Sequence, residues 1–72
     1  MTTIKPGIYR HYKGNLYEVI GIAQHSETEE KMVVYRALYG DFGLWVRPAG
    51  MFAETITDNG QELSRFTCVK SF

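Results

Sequence analysis

Turn-forming residues interrupt this chain so often that no long helix fits between them. Pro6-Gly7, Lys13-Gly14-Asn15, the polar run Ser26–Glu30, Gly40–Gly43, Pro48–Gly50 and Asp58-Asn59-Gly60 all carry residues that preset or tolerate turn dihedrals. They leave runs of strand length at about 7–12, 16–24, 31–38, 44–48 and 62–69. Each run is rich in Val, Ile, Tyr, Phe and Thr, whose side chains suit a pleated, half-buried surface. The first two, joined by Lys13-Gly14-Asn15, read as a β-hairpin whose Gly and Asn accept positive φ. Asp58-Asn59-Gly60 reads as a second tight turn. Residues 49–54 (AGMFAE) lack clean alternation and read as one helical or 3₁₀ turn.

The expected architecture is therefore all-β: a small SH3-like barrel of about five short strands, with an OB-like barrel as the second choice. Closing the sheet would remove edges that invite aggregation. Alternation assigns the faces. Val33, Tyr35 and Ala37 share one side of the third run, with Met32, Val34, Arg36 and Leu38 on the other. Leu44 and Val46 share one side of the fourth, Trp45 and Arg47 the other. In the first, Tyr9 and His11 lie opposite Ile8, Arg10 and Tyr12.

Length allows one domain over residues 1–72, with its core at about 7–69. A chain this short buries only about 60% of its unfolded surface. Cys68 is the one cysteine, so no internal disulfide is possible and a reducing cytoplasm is the expected compartment. The N-terminal MTTIKPGIYRHYKG has no apolar run of signal-peptide length, and no segment approaches a membrane span. Eight basic residues balance eight acidic ones, which disfavours a phosphate-backbone binder.

Chemistry-bearing residues crowd between His25 and Glu54. Trp45 and Arg47 project together from one strand. They form either a recognition patch, an aromatic plate beside a guanidinium that grips carboxylate or phosphate, or a lid with an Arg tied to a Glu. His25-Ser26-Glu27-Thr28 brings a base, a hydroxyl and a carboxylate into one turn. Nucleophilic catalysis needs Ser and His within hydrogen-bond reach, whereas short polar side chains in turns usually bond the local backbone. His11, His25 and Cys68 lack ligand spacing, so no metal site is expected. Tyr39-Gly40-Asp41-Phe42-Gly43 matches no phosphate cradle, and no cofactor is expected. Ten aromatic side chains, 14% of the chain, exceed what so small a core can hide. An aromatic-lined groove is the consequence.

Several of these motifs recur together. Tyr9-Arg10-His11-Tyr12-Lys13-Gly14-Asn15 with Tyr17 and Val19, His25-Ser26-Glu27-Thr28, Val34-Tyr35, Leu38-Tyr39-Gly40, Trp45-Val46-Arg47-Pro48 and Met51-Phe52-x-Glu54 resemble the signature of DUF1653, a bacterial family of unknown function. The resemblance spans about residues 7–66. It implies a small all-β, SH3-like domain from a bacterium and brings no activity, cofactor or catalytic residue. It points to Arg10, His11, His25, Ser26, Glu27, Trp45, Arg47 and Met51-Phe52.

The expected function is a non-enzymatic binding module. Arg10, His11, His25, Ser26, Glu27, Tyr39, Trp45 and Arg47 would recognise a small anionic molecule or a peptide. The alternatives are a hydrolase-like enzyme using His25 with Glu27 or Ser26, and a nucleic-acid-binding barrel. A homodimer would cover exposed aromatics.

Overall fold

The computed structural model describes residues 4–72. The strands are β1 (Gly7–His11), β2 (Leu16–Gln24), β3 (Lys31–Ala37), β4 (Leu44–Pro48), β5 (Thr55–Asp58), β6 (Gln61–Ser64) and β7 (Phe66–Ser71), with the short helix α1 (Ala49–Phe52) after β4. They form a five-stranded antiparallel sheet in the order β4-β3-β2-β1-β7 and a separate β5-β6 ribbon.

The domain is all-β, as the sequence predicts, but the sheet does not close into a barrel. β4 and β7 stay at opposite edges. Seven strands replace the expected five. The run expected at 62–69 breaks at Arg65, whose N–H donates to the Glu54 carbonyl while its own carbonyl accepts from Tyr12 N–H. The chain thereby crosses from the small ribbon to the large sheet. The ribbon turns through Asn59 (φ 52°) and Gly60 (φ 78°), consecutive left-handed residues of the kind that match strand twist in a two-residue hairpin.

Both sides of the hairpin register agree with the alternation. Val33, Tyr35 and Ala37 are buried on the inner face of β3, while Met32, Val34 and Arg36 are only half-buried on the outer face. Cross-strand pairs Tyr35↔Trp45, Val19↔Tyr35 and Tyr9↔Tyr17 extend that inner face across the sheet. A bulge between Val19 and Gly21 sharpens the bend of β2.

Phe52, 2% exposed, seals this face from α1. Its ring stacks on Phe66 (centroids 4.1 Å apart, planes 4° apart) and meets Tyr9 and Tyr35 edge-on. Tyr9, Val19, Val33, Tyr35, Phe52 and Phe66 form one core cluster with no buried polar residue among them. Beside it a cleft of about 300 Å³ opens between Tyr9, Phe66, Cys68 and Ser64.

Three substitutions test this packing by urea unfolding. Phe52→Ala should cost about 3–5 kcal/mol, a large share of a small domain's stability. Gly7→Ala would drive a Cβ into the Lys70 carbonyl of the neighbouring strand and should cost about 1–3 kcal/mol. Gly21→Ala, whose Cβ meets nothing within 4 Å, should stay within about 0.5 kcal/mol of wild type.

Candidate functional site

The sealed core stops short of β4. Beyond Tyr35, the inner face carries Trp45 and Arg47 of β4, and Tyr39 of the β3–β4 loop reaches the same area. Trp45 is 58% exposed and Tyr39 45%. The Tyr39 and Tyr17 hydroxyls lie 2.7 Å apart, and their rings meet edge-on at 5.6 Å. Arg47 Nε donates to the Tyr35 hydroxyl at 3.4 Å, a long bond that holds the guanidinium against the aromatic wall. The ion pair among the described residues is Arg65–Glu54, at 3.2 Å. Arg47 therefore has no carboxylate partner among them, and the reading of a lid with an Arg tied to a Glu fails for this residue.

Electrostatics join these groups. Burial pushes the Tyr17 phenol up to about 12, reinforced by the Tyr39 hydroxyl and the neighbouring Tyr35, with Arg47 pulling the other way. Tyr17 thus stays a neutral hydroxyl throughout the physiological range. His11 is pushed below its ordinary value, first by desolvation and then by the positive charges of Arg65, Lys13 and Arg47. Its ring lies edge-on to Phe66 at 5.0 Å and to Tyr17 at 6.3 Å. His11 Nδ1 accepts the Lys13 backbone N–H at 3.2 Å, so the neutral ring carries its proton on Nε2. The result is a face with Arg47 and a donor-bearing His11 beside aromatic hydroxyls, with the charges of Lys13 and the Glu54-paired Arg65 acting on His11 from nearby.

The eight residues expected in a site divide. His11, Tyr39, Trp45 and Arg47 share the inner face. Arg10 lies on the outer face, exposed, between Tyr9 and His11. His25, Ser26 and Glu27 occupy the β2–β3 turn, at the far end of the hairpin from Tyr17. Seven residues of β2 separate the ends, about 26 Å at a strand's rise. His25 Nδ1 accepts the backbone N–H groups of Glu27 (3.1 Å) and Thr28 (3.3 Å), and its carbonyl accepts from Glu29. The histidine caps its own turn. No hydrogen bond joins it to the Ser26 hydroxyl or the Glu27 carboxylate among the described residues, so the arrangement expected of a His25-based hydrolase is not formed. Nor do three or more His, Cys, Asp or Glu converge among the described residues.

Tyr17 and Tyr35 belong to the face, with Arg65 acting on His11 beside it, and none of the three was among the expected site residues. Period-two alternation put Tyr35 with Val33, but only the β3–β4 register puts it beside Trp45. Arg65 carried no local signal.

These features define a small antiparallel β domain with a half-open, aromatic and cationic inner face. A family model described as protein of unknown function, DUF1653, matches residues 7–68, and the chain belongs to that family. It is similar to the crystal structure of a protein belonging to DUF1653 from Bordetella bronchiseptica, with 37% identity, a TM-score of 0.87, and coverage of 96% of this chain and 91% of that one. Among curated proteins nothing matches. No helix among the described residues is long and apolar enough to cross a membrane.

The lowered pKa of His11 has a testable sign. Between its folded value and the unfolded value of about 6.5, the unfolded chain binds more protons. Stability from this source is therefore complete above about 6.5 and declines as pH falls through that value toward the folded pKa. Urea midpoints followed from neutral to mildly acidic pH should drop more steeply for wild type than for His11→Gln. Parallel curves would show that His11 does not carry the effect.

Proposed function

We propose that the inner face around Arg47 is a binding site for a small anionic molecule or a peptide carboxylate, and that the domain acts as a non-enzymatic binding module. The observation that carries this reading is Arg47: a half-buried guanidinium anchored by one long bond to Tyr35, beside an exposed Trp45, with no carboxylate partner among the described residues. Arg donors are arranged in a fork that fits carboxylate or phosphate, and their positive charge favours an anion over a neutral ligand. Trp45, Tyr39 and Tyr17 supply flat apolar surface with hydroxyls at its border, the mixture found in small-molecule sites. Net charge over the whole chain is zero, so the attraction for an anion comes from Arg47 itself rather than from the chain. The same balance counts against a nucleic-acid track. Kinship with a Bordetella protein favours a bacterial origin, and the lone exposed Cys68 fits a reducing cytoplasm.

A thermal-shift panel of anionic metabolites, nucleotides and carboxylate-ending peptides tests the reading. A binder at a hundred times its dissociation constant adds about 2.7 kcal/mol, which for a domain of this size raises Tm by roughly 10 °C or more. Arg47→Ala should abolish the shift while leaving the unliganded Tm close to wild type. A shift that survives Arg47→Ala would place the ligand elsewhere. Unfolding on substitution would make Arg47 structural.

A further inference from the structure

β4 is an open edge with an unusual surface. Leu44, Trp45 and Val46 are consecutive large apolar residues and all are 58–59% exposed. Natural edge strands normally carry charges, prolines or bulges that prevent pairing. The opposite edge follows that rule: β7 carries Lys70, and its pairing with β1 is broken by a register shift. β4 carries Arg47, which lies against Tyr35, and one Pro at its end, and has no register shift against β3.

The hydrogen-bond phase of this edge follows from its pairing. Ala37 N–H donates to the Gly43 carbonyl, and β3–β4 pairs run Tyr35↔Trp45 and Val33↔Arg47. Bonded and non-bonded pairs alternate in an antiparallel ladder, so positions 43, 45 and 47 direct their backbone groups to β3. Leu44 and Val46 then present N–H and C=O outward, while the Pro48 carbonyl opens the helix α1. No other backbone hydrogen bond reaches Leu44 or Val46 among the described residues.

We propose that β4 pairs antiparallel with β4 of a second copy about a two-fold axis at Val46. This register pairs the centre of the edge. Val46 and the partner's Val46 exchange two hydrogen bonds, and Leu44 lies opposite the partner's Pro48, which offers no N–H and so ends the shared ladder there. Trp45 faces the partner's Arg47 in a non-bonded pair, where side chains approach closest, so a planar cation meets an indole in both halves. On the outer face, Leu44 packs on the partner's Pro48 and the two Val46 side chains meet. An isologous contact of this kind closes on itself, whereas β4 on β7 would propagate into a filament. The partner's Arg47 thereby joins the inner-face site of the first copy.

Sedimentation velocity from micromolar to millimolar concentration tests this. Wild type should move from monomer to dimer and no further. Val46→Pro removes an N–H that β3 does not use, and Val46→Lys sets like charges across the axis. Either should weaken dimerisation at least tenfold while circular dichroism stays that of wild type. Wild type remaining monomeric at millimolar concentration overturns the proposal, as does a dimer untouched by Val46→Lys. Should Val46→Pro fail to fold, Val46→Lys decides. Because Val46 lies on the outer face, these variants leave the ligand-facing side chains of each chain in place, and the thermal-shift response of the monomeric variant separates loss of dimer from loss of ligand site.

Discussion

The stack of Phe52 on Phe66 is the contact on which this fold depends. A single bent sheet has one face to hide, and a chain of 72 residues has neither a second full sheet nor a long helix to hide it with. One residue of a four-residue helix does the task instead. Phe52 reaches Phe66 on β7, Tyr9 on β1 and Tyr35 on β3, so one ring ties together strands that are not neighbours in the ladder. Aromatic residues suit this role because each buries a large area with few rotamers to restrict.

The same economy creates the candidate site. The Phe52 ring covers the inner face at Phe66, Tyr9 and Tyr35, while Trp45 on β4 stays 58% exposed. Inner-face residues at the covered end are apolar or have their hydroxyls satisfied locally, as Tyr9 does on the Lys5 carbonyl at 2.8 Å. At the uncovered end the face turns polar without becoming charged throughout, through Tyr17, Tyr39, Trp45 and Arg47. Binding groups and core are one continuous surface, and their difference is how far Phe52 reaches.

Much of the fold was legible because turn chemistry and period-two alternation are local. Lys13-Gly14-Asn15, Asp58-Asn59-Gly60 and the helical turn after Pro48 all lie where the sequence places them, and the faces of β3 follow from spacing alone. Closure was not legible, since it depends on whether the first and last strands of a sheet meet. Nor was the break at Arg65, which is set by backbone partners on Glu54 and Tyr12. For the site, alternation correctly joined Trp45 with Arg47. Of the two histidines, only His11 lies on the face of Trp45 and Arg47, against Tyr17. Each is followed two residues on by a backbone N–H that its Nδ1 accepts, so His11 and His25 perform the same capping task in successive hairpin turns. Proximity in sequence made His25, Ser26 and Glu27 resemble a catalytic group, while the turn that makes them neighbours also spends the imidazole on the backbone.

β4 joins the two halves of the argument. Its inner side supplies Trp45 and Arg47 to the aromatic face, its outer side supplies Leu44 and Val46, and its free backbone lies between. A strand this exposed is a hazard unless something pairs with it, and the residues that make it hazardous are those that give it a specific register. Two copies meeting at Val46 would set their Arg47 side chains diagonally across the seam, on the face proposed to take an anion. An anion there would lessen the repulsion between the two guanidinium groups. Ligand affinity and self-association would then favour each other by the same factor, as linkage requires. A monomer would bind the same ligand with one guanidinium from β4 in place of two, so the strength of that coupling measures how far the second Arg47 takes part.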